Sequence, residues 1–114
     1  MGRPPSDVGA MLKQAFIEHE ELHAYGARRL VNLVRREQGR RPLSGNYFHL
    51  LFVVAERDGL IDYVRDEPAS RETASGDVIS LPDLPARKVY AMLPGARKSR
   101  LWFDLPARLA AGKV

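Results

Sequence analysis

The stretch RPLSGNYFHLLFVVAERDGLIDYV, residues Arg41–Val64, decides how this chain folds. Pro42 cannot continue a helix that precedes it, because its ring removes the amide donor and clashes with the turn before. Ser44 offers a hydroxyl to cap a new helix, and Tyr47, Phe48, Leu51, Phe52 and Ala55 recur at helical spacing as far as Asp58. Gly59 supplies the left-handed residue that closes such a helix. The residues after it, LIDYV, are β-rich and short. The stretch therefore reads as turn, helix over about 44–58, turn, strand.

Upstream, Ser6 and Asp7 are N-cap candidates, and Val8, Met11, Leu12, Ala15, Phe16 and Ile17 follow at helical spacing. This predicts a first helix over about 7–20. Tyr25, Leu30, Val31, Leu33 and Val34 then share one face, with arginines opposite, until Gly39. A second helix is expected over about 25–37. Downstream, ASRETASGD is polar and SLPDLPA has two prolines, so 66–86 is expected to be a long, mobile connection. KVYAML alternates as a strand does. After a turn at Pro94-Gly95, RLWFDL reads as a further strand with Trp102 and Phe103 on opposite faces, and 106–114 as a frayed end or short helix. The fold class is α+β: three helices, a β-hairpin and an extra C-terminal strand in a single domain over 1–114.

Apolar residues make up 45% and charged residues 28% of the 114, as in an ordinary globular domain. There is no cysteine, which excludes disulfides and thiolate metal sites and suits a cytoplasmic address. No apolar run approaches the roughly 20 residues of a membrane span, and the opening residues lack the apolar stretch of a signal peptide. No membrane association and no cofactor are expected. The net charge of +4 is unevenly placed. Residues 26–41 carry Arg28, Arg29, Arg35, Arg36, Arg40 and Arg41 against Glu37 alone. Residues 66–85 are acidic, through Asp66, Glu67, Glu72, Asp77 and Asp83, and basic residues return from Arg87 onward. Two separate basic segments suit a polyanion partner if folding brings them to one face.

One motif points elsewhere. HEELHAYG, residues 19–26, contains His-Glu-x-x-His, which on a helix sets two imidazoles one turn apart over a zinc ion with Glu20 beside its water. The position that would supply a third ligand in the longer form of this motif is Arg29, whose permanent charge repels a metal. His49 is the only other histidine, and every candidate strand comes after the motif. The expectation is a solvated helix end with no bound metal and no enzymatic activity.

His23–Val64 resembles the winged helix-turn-helix superfamily, and most of all the PadR-like transcriptional regulators. The resemblance rests on LHAYGARRLVNLV as the opening of the second helix and on RPLSGNYFHLLFVVAERDGLIDYV as a Ser-led recognition helix closed by Gly-Leu-Ile. RKVYAML resembles the returning wing strand. It covers roughly 23–65 and 87–93. It implies a DNA-binding regulator that inserts the helix at about 44–58 into the major groove of double-stranded DNA as a homodimer. Such proteins carry a long C-terminal dimerisation helix, for which no segment is legible after Leu105, so the N-terminal helix is the candidate substitute.

In that geometry the first turn of the recognition helix faces base edges. Asn46 matches an adenine edge, Ser44 and Tyr47 match bases or phosphates, and His49 lies on the next turn. Arg40 and Arg41 precede the helix as backbone contacts, extended by Arg28, Arg29 and Arg36, while Lys88, Arg97, Lys98 and Arg100 are candidates for the neighbouring groove. Each has a plainer role open to it: Ser44 as a cap, Asn46 bonding local backbone, Tyr47 packing on Phe48, His49 as a spacer. Leu50, Leu51, Phe52, Val53 and Val54 leave the helix almost no polar free face. That feature keeps open a second function, a protein–protein module of a larger nucleic-acid-processing assembly.

Overall fold

The computed structural model describes residues 7–111, leaving out the side chains of residues 72, 110 and 111. Helix α1 (Val8–His19) is followed by strand β1 (Glu21–His23), α2 (Ala24–Glu37) and α3 (Gly45–Arg57). Strand β2 (Ile61–Glu67), a short hairpin of β3 (Ser70–Glu72) and β4 (Val78–Ser80), and β5 (Arg87–Met92) come next. A 3₁₀ turn (Ala96–Lys98) leads into α4 (Leu101–Ala111). The three helices expected from the periodicity lie within one residue of the expected bounds at each end.

Caps explain those bounds. The Ser44 hydroxyl accepts from the Tyr47 amide at 3.1 Å, satisfying one of the orphan donors at the start of α3. Gly59 takes φ +77 and lets the Leu60 amide bond back to Ala55 at 2.9 Å, which ends α3 and aims the chain into β2. Gly39 at φ +70 does the same for α2.

A three-stranded antiparallel sheet in the order β1-β5-β2 closes one side of the helices. Helix, strand, two helices and a returning β-hairpin, with the short first strand on the far edge, form the winged helix-turn-helix arrangement. Val64 is an extra residue in β2, between the pairs Tyr63–Tyr90 and Arg65–Val89, and such a bulge bends and twists the strand as it leaves the core. The segment expected as a long mobile connection instead folds back: Ser70, Arg71 and Glu72 pair with Ser80, Ile79 and Val78, and Ala69 beneath them is buried. Its turn is tied by Thr73, whose amide donates to the Asp77 carbonyl at 2.8 Å, with Gly76 at φ +88.

The C-terminal strand expected from RLWFDL is a helix. Trp102, Leu105 and Leu109 lie three and four residues apart and are all buried, whereas Phe103 is exposed. The Ser99 hydroxyl accepts from the Leu101 amide at 3.1 Å at the start of α4. Trp102 is wholly buried against Phe16, with ring centroids 6.1 Å apart, and its indole N–H donates to the Ala96 carbonyl at 2.7 Å. Local β-propensity in this stretch is therefore overridden by burial of one indole, a term of several kcal/mol. Of the C-terminal segment, residues 112–114 lie outside the described residues. No helix among the described residues is long and apolar enough to cross a membrane.

Candidate nucleic-acid interface

The start of α3 is held by side chains of α2. Asn32 spans the backbone of Leu43, donating to its carbonyl at 3.0 Å and accepting from its amide at 2.8 Å. One turn further on, Arg35 is 6% exposed and its Nε donates to the Arg41 carbonyl at 2.8 Å. Both ends of the elbow between the helices are thus pinned from beneath. Above it, Ser44, Gly45, Asn46, His49 and Val53 are exposed. Asn46, His49 and Val53 follow a three–four spacing, so they form one stripe along α3. This face is wider than the apolar run at 50–54 suggests, because Leu51, Phe52 and Val54 all turn into the core.

Beside that stripe is a cleft of about 310 Å³ between the start of α2, α3 and the wing-side end of β5. His49 and Val53 form one wall, Arg87 and Lys88 another, and Tyr25 stands at the end. The Arg87 guanidinium lies 4.4 Å from the centre of the Tyr25 ring and the Arg28 guanidinium 5.5 Å from it. Arg28 reaches on to the first turn of α3, its Nη1 only 3.1 Å from where a β-carbon on Gly45 would stand. Among the described residues, none of Arg28, Arg87 and Lys88 has a carboxylate within ion-pair distance. These cations are thus free to meet an external anion.

His23 closes the floor of the cleft. It is the N-cap of α2, its Nδ1 accepting from the Gly26 amide at 2.8 Å, which requires the neutral ring with its proton on Nε2. Burial, and then the Arg87 guanidinium, push this imidazole below its ordinary value.

The residues singled out in the sequence separate into two groups. Ser44, Asn46 and His49 lie along α3, Lys88 faces His49 across the cleft, and Arg28 reaches the first turn of α3 from the groove along α2. Tyr47 turns inward: its hydroxyl is buried, burial raises its pKa, and its ring meets Phe48 edge-on. Arg40 is committed to Asp7, which it clasps with both terminal nitrogens. Arg41 is exposed at the elbow, while Arg29 and Arg36 join Arg28 and Arg40 around a second groove of about 840 Å³ along α2. Arg97 lies at the opposite end of β5, bordering Glu20 and Glu21 beside Met92. Lys98 and Arg100 flank the same turn, so the basic run at 97–100 does not join the cleft.

Two further residues, Arg87 and Tyr25, complete the cleft. Arg87 stands next to Lys88 and begins the same strand, so its charge was visible but its partner was not. Tyr25 stood in the helical repeat and in the stretch LHAYGARRLVNLV, neither of which marks it as a contact residue.

The helix required by the zinc reading is absent. His19 is the last residue of α1, Glu20 adopts φ +59, and Glu21–His23 leaves as β1, paired with Ala91, Tyr90 and Val89. His19 and His23 therefore sit on different elements, and the second is spent as a helix cap.

No family model matches the chain, and neither does any curated protein. Among solved structures, a PadR-like transcriptional regulator from Bacillus cereus is similar at 17% identity, with a TM-score of 0.43 over 93% of this chain and 84% of its own.

Proposed function

We propose that this protein binds double-stranded DNA and acts as a small, sequence-specific transcription regulator. Helix α3 enters the major groove by its first two turns, with Asn46 and His49 toward base edges. Arg28, Arg87 and Lys88 grip the flanking backbone, and exposed Arg41 extends that grip from the elbow. The single observation that carries this reading is the continuity of an exposed polar helix start with three cations that no carboxylate among the described residues neutralises. Arg87 and Lys88 line the cleft, and Arg28, from the groove along α2, meets Arg87 at the Tyr25 ring. Acting as a homodimer, the protein would read two half-sites about one helical turn apart.

Selection of bound sequences from a random duplex pool, followed by titration of the selected duplex at several salt concentrations, tests the proposal. A consensus containing an inverted repeat is expected. For about three neutralised phosphates, affinity falls roughly 40-fold between about 50 and 200 mM salt. Equal weak binding to every duplex would remove the regulator claim and leave a DNA-coating role.

A second reading, a protein–protein module, draws on a different surface. The β3–β4 hairpin exposes Val78 by 72%, with Leu84 also exposed nearby and Asp77 and Asp83 flanking. An acidic and apolar wing tip repels phosphate and suits a protein surface. Deleting residues 73–77 separates the two: DNA affinity survives if the α3 cleft is the functional site.

A further inference from the structure

Tyr25 carries two guanidiniums on one ring, delivered by different elements: Arg28 from α2 and Arg87 from β5. Each contact is of the kind worth about 0.5–1 kcal/mol at a partly exposed site, enough to bias where a long side chain rests. The ring thus stands where the groove along α2, lined by Arg28, meets the cleft lined by Arg87, and none of the described carboxylates lies within ion-pair distance of either cation. Glu67, which faces Arg87 across the sheet, pairs with Arg65 instead, at 3.8 Å. His23 beneath them is held neutral by its capping bond, so it adds no charge of either sign. Arg28 also overhangs the first turn of α3, whose free amides favour the same kind of ligand.

We propose that Arg28 and Arg87 bind one and the same backbone phosphate of the duplex, and that Tyr25 is the residue that positions them for it. This rests on the DNA-binding reading above and goes beyond it by assigning one shared anion to a pair of cations from α2 and the wing. Guanidiniums suit the task because each presents a planar fork to two phosphate oxygens. The consequence is mechanical: the bound phosphate adds a second tie between the wing strand and the helix that supports α3, beside the β1–β5 pairing that already joins them.

The test is the salt dependence of affinity for one selected duplex, measured with the full chain and with Arg28→Ala, Arg87→Ala, the double variant, Tyr25→Leu and Tyr25→Phe. Circular dichroism melts establish that each is folded. If one phosphate is shared, each single alanine weakens binding roughly tenfold and the double loses at most about twofold more. All three then shallow the slope of log affinity against log salt by about 0.9. Tyr25→Leu matches the single arginine variants, and Tyr25→Phe retains binding. Losses that multiply, with a slope change of about 1.8 in the double, mean two separate phosphates and overturn the shared site while the DNA reading stands. Unchanged affinity in Tyr25→Leu overturns the positioning role. Absence of salt-dependent binding by the unaltered protein overturns the DNA reading and this inference together.

Discussion

Gly9 of α1 lies against the backbone of Trp102 in α4: a β-carbon added at Gly9 would stand 1.6 Å from the Trp102 carbonyl oxygen. That oxygen is the one four residues before Pro106, which has no amide proton to offer it. The proline thus leaves the Trp102 carbonyl without its helical donor, and the absence of a side chain at Gly9 lets α1 approach it. The two residues together set how closely α1 and α4 pack, and so how Trp102 is seated against Phe16.

Gly9→Ala is accordingly expected to force α1 and α4 apart. The cost is about 3 kcal/mol or more, at the upper end for overpacking because the obstruction is backbone and cannot rotate away. The melting temperature should drop by more than about 10 °C. A change of under about 2 °C in a thermal melt would show that the two helices do not meet at this point.

Asn32 acts as a brace for the elbow. Asn32→Ala leaves both the amide and the carbonyl of Leu43 without partners in a half-buried setting, at a cost of about 1–3 kcal/mol. Hydrogen exchange at the Leu43 amide should accelerate beyond what the loss of global stability explains. Asn32→Asp, which keeps an acceptor for the amide but loses the donor, should fall between the two.

His23 makes stability depend on pH. Its folded-state pKa lies below its unfolded value, so the unfolded chain binds this proton more readily. The contribution is therefore present in full above about pH 6.5 and is lost as pH falls below that value. A protonated ring would also turn a donor toward the Gly26 amide and break the cap. Denaturant midpoints measured across this range should decline for the unaltered protein. His23→Asn, which retains a capping acceptor, should flatten the decline.

Asp58 and Arg108 join the end of α3 to α4. The Asp58 side chain is 7% exposed and accepts two bonds from the guanidinium, including one from Nη2 at 2.9 Å. That bond, more than any other influence, holds its carboxyl below the ordinary range. The contribution is present above the unfolded carboxylate value and lost as pH falls through the lowered one. Arg108→Met leaves this carboxylate with only the longer Arg57 contact at 3.5 Å, so acid unfolding should begin at higher pH. The double variant with Asp58→Asn should recover much of the loss, because a buried pair is costly mainly when one partner remains.

Much of this architecture was legible without coordinates. Pro42, Ser44 and Gly59 act on the chain within a few residues of themselves, as do the apolar repeats of α1, α2 and α3. A proline's missing donor, a capping hydroxyl and a left-handed glycine have the same effect whatever surrounds them. The alternation of KVYAML was legible for the same reason.

Other features depend on groups distant in the chain. Glu21–His23 becomes a strand only because Val89–Ala91 is there to pair with it, and that pairing breaks the His-Glu-x-x-His helix. RLWFDL, β-prone by itself, becomes helical because α1 and α3 offer Trp102, Leu105 and Leu109 a single apolar wall. The sequence by itself determined where the first three helices lie and that cations would be abundant. Only tertiary structure decided which cations meet: Arg28 and Arg87 share the Tyr25 ring, Arg40 is taken by Asp7, and Arg97 is carried to the far end of the sheet. Charge is a property of each residue, but proximity across dozens of residues is set by the packing that buries the core.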